Sequence, residues 1–152
     1  IEMRLFLFIS FLFLASLETG LCQMPVNSDK GLAVGGYDVV SYFQITGPQK
    51  GNNQFAAQHR GQTYYFLNAA NKAMFLKSPE QYLPQYGGWC AYAMGKEGNK
   101  VDVDPKTFKI MEGKLYLFYN KFFNNTLTKW NQDEAKLKAK ADQNWISKHN
   151  NK

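Results

Sequence analysis

The chain has 152 residues, with 18 Lys and Arg against 12 Asp and Glu, for a net charge of +6. That length suits one domain with a core of its own and leaves no room for a second of ordinary size. The basic residues are scattered through KGNN, GKEGNK, DPKTFK and a lysine-bearing tail, so they read as a solvated surface. A nucleic-acid footprint would be denser, and weak contact with anionic surfaces is as far as the charge goes.

At the front, Met3 and Arg4 precede the apolar run LFLFISFLFLASL and the exit ETGLCQ. A short basic start, an apolar run and small residues at the end predict a secretory signal over residues 1–22. The run is short for a membrane span, which needs ~20 apolar residues. Cleavage after Cys22 puts Gly20 and Cys22 in the two small-residue positions and is the preferred reading. The alternative, lipid attachment through Cys22, is disfavoured by the bulky Leu21 before it. The protein is therefore expected in the periplasm or the medium. With Cys22 removed, Cys90 is the one cysteine left, and no intramolecular disulfide can form. A lone thiol in an oxidising compartment must be buried, bound or joined to another molecule.

Residues 23–33 read as a flexible entry, and residues 34–148 as a single domain. GGYDVVSYF predicts a turn and then a strand, from its β-branched and aromatic content, and TGPQKGNN a loop. QFAAQHRGQTYYF predicts a hairpin turning at Arg60-Gly61, which places Phe55, Ala57, His59, Gln62, Tyr64 and Phe66 on one face. NAANKAMFLK predicts a helix capped by Asn68. SPEQY restarts a helical turn, with Pro79 in first position and a capping box from Ser78 to Gln81. FKIMEGKLYLFY predicts a second hairpin turning at Glu112-Gly113. Its core face is Phe108, Ile110, Leu115, Leu117 and Tyr119, and its other face carries Lys109, Lys114 and Tyr116. The tail predicts one amphipathic helix or two joined ones, with Leu127, Trp130, Leu137, Ala141 and Trp145 at helical spacing and a capping box from Asn131 to Glu134. Hairpins interrupted by helices make the expected class α+β.

No phosphate-cradling glycine loop, His-Glu-x-x-His, paired-cysteine motif or Gly-x-Ser-x-Gly elbow is present. Asp102 and Asp104 flank a turn at Pro105 more readily than they bind a hard cation. Gly87-Gly88 allows a close backbone approach or simply a reversal of the chain. Asn124-Asn125-Thr126 fits a glycosylation acceptor in a host with that machinery.

In combination, HRGQTYYF, NAANKAMF and SPEQYLPQYGGWCAYA resemble the YHS domain family. His59, Gly61, Tyr64, Phe66, Phe75, Pro79 and Tyr82 fill that family's pattern. GGYDVVSYF, EGKLYLFYN and ADQNW resemble an exported bacterial subgroup of it. The resemblance runs from about Gly31 to Trp145 and implies the fold and an association with metal. Metal-associated members carry cysteines where this chain has Leu67 and Asn71, so a tetrahedral Cys-rich zinc site is not expected.

His59, Cys90 and Met94 are ligand types that suit copper, and Cys90 and Met94 share a face if WCAYAM is helical. Tyr64, Trp89 and Tyr92 are the aromatic candidates for lining a ligand site. The expected function is therefore a non-enzymatic exported binding protein, with a metal ion (copper first) or a small ligand near His59 and Cys90. Two other readings compete with it. One is a structural or interaction module in which Cys90 and Met94 merely fill the core. The other is a thiol enzyme pairing Cys90 with His59, with Asp38 as the orienting group.

Overall fold

The computed structural model describes residues 25–149; the predicted signal lies outside them. Helices and mostly antiparallel sheets form the α+β fold.

Both long hairpins form as their sequences dictate. β3 (Asn52–His59) and β4 (Gln62–Phe66) pair His59 with Gln62 and Ala57 with Tyr64. Between them Arg60 (φ 49°) and Gly61 (φ 75°) both lie in the left-handed region, the two-residue turn that matches strand twist. The entry segment joins this sheet. β1 (Ser28–Asp29) pairs with β2 (Leu32–Ala33), and β2 runs parallel to β4 through Leu32 and Thr63. The expectation of a flexible entry is therefore replaced, over residues 25–33, by an ordered edge. Strands of two residues carry no periodicity that could announce them.

GGYDVVSYF does not form the expected strand. It folds into two tight turns, Val34–Gly36 and Ser41–Phe43, and Asp38 is the reason. Its carboxyl group is fully buried; one oxygen accepts the Val40 amide at 2.8 Å, the other the Leu67 amide at 2.8 Å and the Asn71 side chain at 2.6 Å. A short acidic side chain that captures nearby amides displaces the sheet ladder. Val39, Val40 and Tyr42 are buried all the same.

α1 (Ala69–Lys77) is capped by Asn68, which accepts the Asn71 amide. α2 (Pro79–Tyr82) begins on Pro79 as expected, but Ser78 makes no side-chain cap, so the Ser78–Gln81 box does not form. The Ser78 amide instead closes the end of α1 on Met74 and Phe75.

β5 (Asp104–Met111) and β6 (Lys114–Phe118) pair Phe108 with Leu117 and Ile110 with Leu115. The expected core face is correct, with Leu115 and Leu117 fully buried. On the opposite face, which carries Lys109 and Lys114, Tyr116 and Phe118 are buried under the tail. That tail is two helices, α4 (Thr126–Gln132) and α5 (Glu134–His149). Trp130 lies 6.0 Å from Tyr116 and 5.5 Å from Phe118, ring to ring. The break between the helices is not a box from Asn131, whose side chain accepts Lys109 instead. Glu134 also contacts Lys109 and accepts the Trp130 indole N–H at 3.1 Å. α3 (Ala91–Glu97) crosses α5 at Gly95, where a Cβ would stand 2.5 Å from the Leu137 carbonyl oxygen.

Asp38→Ala removes the acceptor from three donors, two of them buried, and a buried donor left stranded costs about 1–3 kcal/mol. The variant is expected to lose roughly 3 kcal/mol or more of stability, measured as a lower urea midpoint with an unchanged slope.

Candidate functional site

The β3–β4 turn and α2 bring three polar side chains together. His59 Nε2 is 3.2 Å from a Glu80 carboxylate oxygen, and the Arg60 guanidinium meets the same oxygen at 2.9 Å. The His59 ring stands edge-on to Phe75, 5.7 Å between centroids. Beside this group opens a cleft of about 220 Å³, whose walls include Arg60, Tyr64, Glu80, Leu83, Tyr86 and Trp145. Tyr64 is 3% exposed and lines the cleft; among the described residues the buried side-chain atom without a hydrogen-bond partner is Gln62 Oε1, at the same turn. Burial, offset in part by Arg60, pushes the Tyr64 phenol up to about 12. The Tyr86 hydroxyl donates to Asp142 at 2.8 Å; burial and that bond push its phenol well above the ordinary range.

Cys90 lies elsewhere in the fold. It precedes α3, is fully buried, and forms the floor of a second hollow of about 280 Å³ flanked by Tyr92, Lys96, Val101, Tyr119 and Thr126. The Tyr119 amide donates to Sγ at 3.4 Å, and Sγ is 3.4 Å from the Thr126 hydroxyl oxygen. Thr126 spends its single hydroxyl proton on the Tyr119 carbonyl at 2.9 Å. The thiol is therefore the donor to Thr126, and the sulfur gives one hydrogen bond and accepts another.

The structure does not gather the three proposed metal ligands. His59 meets Glu80 and Phe75, Cys90 meets Thr126 and Tyr119, and Met94 packs with Trp130 in a different core cluster from Cys90. WCAYAM is helical from Ala91, as expected, yet its sulfurs go to opposite sides of β6. Among the described residues no three His, Cys, Asp or Glu converge. Asp38, the proposed orienting group, is committed to Val40, Leu67 and Asn71.

The aromatic candidates also part company. Tyr64 lines the first cleft and Tyr92 the second. Trp89 donates its indole N–H to the Pro25 carbonyl at 3.2 Å. That bond explains the glycine pair before it. Gly87 has φ 61°, a Cβ there would collide with the Pro25 carbonyl oxygen, and the Gly87 carbonyl accepts the Asn27 amide at 2.8 Å. YGGW is thus the dock for the entry segment. Sequence reasoning missed Arg60, Glu80 and Trp145 as neighbours of Tyr64. Only the turn position of Arg60, beside His59, hinted at it.

No family model matches the chain, and no curated protein or solved structure does either. The site is read from its geometry alone.

Two measurements follow from these environments. Cys90 is expected to react with iodoacetamide at least about a hundredfold more slowly in the native protein than in urea, read by mass spectrometry. The second is alkaline titration. Tyr42, Tyr64 and Tyr86 hold their protons more tightly folded than unfolded. The folded state then binds more protons above the ordinary value of 10, so stability is level below pH 10 and falls as pH rises towards about 12. Urea midpoints across that range will show it, with a shallower fall in Tyr64→Phe.

Proposed function

We propose that this chain is an exported, non-enzymatic, YHS-like binding protein whose ligand is a small, flat, largely apolar molecule with an anionic end, held in the Tyr64 cleft. The observation that carries the reading is the cleft itself, in which the ring of Tyr64 lies beside the half-exposed Arg60 guanidinium. Tyr64, Tyr86, Trp145 and Leu83 offer apolar walls. Arg60 offers a planar fork that suits a carboxylate, which would exchange with Glu80. At about 220 Å³ the cleft is smaller than the usual range of roughly 300–1,000 Å³, so the ligand is small.

The YHS resemblance agrees with this placement. Its residues His59, Tyr64 and Phe66 all contact the ring of its Phe75, at 5.7, 5.0 and 5.0 Å. The same packed ring positions Tyr64 at the cleft. The copper reading draws less support, since His59, Cys90 and Met94 each have neighbours of their own. The enzyme reading lacks a Cys90–imidazole contact among the described residues.

The test is a panel of small aromatic carboxylates, followed by proton NMR of the Trp145 indole. Arg60→Ala is expected to weaken binding about tenfold, and Tyr64→Phe severalfold, consistent with ~1 kcal/mol per hydrogen bond. Tyr64→Phe, which keeps the ring against Phe75, should cost no more than about 1 kcal/mol of stability at neutral pH. If no carboxylate moves the Trp145 signal, while copper binds and is lost in Cys90→Ser, the cleft reading is wrong.

A further inference from the structure

Among the described residues four two-residue turns have both central residues in the left-handed region, and three obey one rule. Lys30-Gly31, Arg60-Gly61 and Glu112-Gly113 each place glycine second. The fourth joins β7 (Asn120–Lys121) to β8 (Asn124–Asn125), with Lys121 opposite Asn124. Its central residues are Phe122 (φ 52°) and Phe123 (φ 59°), and they are 89% and 112% exposed. A left-handed residue with a Cβ costs about 1–2 kcal/mol. Exposing two large rings to water adds to that cost rather than offsetting it. The sequence thus keeps two unfavourable choices at one tip, where Asn-Gly would form the same turn freely.

The surroundings of the tip are basic. The Asn124 side chain, next to Phe123, accepts Lys129 Nζ at 2.7 Å. Lys129 in turn lines a hollow of about 530 Å³ together with Lys96, Lys136 and Lys140. Asp133, 3.7 Å from Lys136, is the one carboxylate on its lining. Lys96 also borders the Cys90 hollow that Asn124 lines.

We propose that the Phe122-Phe123 tip inserts into an anionic lipid surface, with the four lysines engaging its phosphates. A sharp protruding pair of rings suits the soft boundary between headgroups and acyl chains better than a packed protein interface. Lysines beside the rings add roughly 1 kcal/mol each near such a surface. No helix among the described residues is long and apolar enough to cross a membrane, so the contact is peripheral. This proposal is independent of the Tyr64 cleft.

The experiment compares phosphatidylglycerol–phosphatidylcholine vesicles with phosphatidylcholine alone, by flotation and by hydrogen exchange of the amides of residues 120–125. Parent protein should float with the anionic vesicles, lose that partition as salt rises, and show protection at the tip. F122N/F123G should keep or raise the thermal midpoint, yet lose the tip protection and partition at least about tenfold less. K136E/K140E, which leaves the turn intact, should lose affinity for the anionic vesicles only. Absence of tip protection on anionic vesicles overturns the proposal. So does equal partition by F122N/F123G, or equal binding to neutral vesicles, or a fall in the midpoint of F122N/F123G that marks the rings as structural. A tip protected by a protein partner but not by lipid would likewise refute it.

Discussion

Strand β6 is apolar on both sides, and the arrangement of the protein follows from that. Leu115 and Leu117 face the core built on the first hairpin and α1, while Tyr116 and Phe118 face the core closed by Trp130 and Ala141. A strand whose successive side chains alternate in direction therefore serves as the wall between two small cores. Neither core is large, and each supplies the other with the covered face it needs. The register of β6 against β5 is fixed from both sides, because a slip of one residue would exchange the leucines for the aromatic residues.

That wall also decides the fate of the sulfur atoms. Cys90 and Met94 are one helical turn apart, the spacing that puts two side chains on one face of a helix. Cys90, however, stands before the first residue of α3 and packs with the first core, while Met94 packs with Trp130 in the second. The thiol is then occupied locally, donating to Thr126 and accepting from Tyr119. An unpaired cysteine buried and hydrogen-bonded this way is sheltered from oxidants without a disulfide partner. The same contacts tie the end of β6 to the start of α4, so the sulfur acts as a small polar joint.

How much was legible in the residues depends on the range over which each signal acts. Arg60-Gly61 and Glu112-Gly113 announce their hairpins because turn chemistry is local, and the alternating faces beside them follow. Asn68 announces α1 for the same reason. GGYDVVSYF misleads because its strand-like composition is overruled by one buried carboxyl group, whose partners Leu67 and Asn71 lie far along the chain. Tyr116 shares its face with Lys109 and Lys114, and only the arrival of Trp130 closes that face over it. The cleft was invisible for a similar reason. Tyr64 was a candidate, but Glu80, Tyr86 and Trp145 reach it from three other elements, and no spacing in one sequence encodes that meeting.

Backbone strain separates the positions that the fold explains from those it does not. Apart from the three two-residue turns with glycine second, the non-glycine residues with positive φ among those described are Val34, Tyr86, Phe122 and Phe123. Each costs of order 1–3 kcal/mol, against a total stability of roughly 5–15 kcal/mol, so such positions persist where their surroundings compel them. Val34 is buried in the first core. Tyr86 is held by its hydroxyl on Asp142 and by rings at 5.9 Å (Tyr116) and 6.2 Å (Trp145), as the chain reverses over Gly87. The strands of β7 and β8 compel a tight turn at Phe122-Phe123, but nothing among the described residues compels phenylalanine there, since both rings are exposed. Packing accounts for the first two. The last two call for a contact outside the chain.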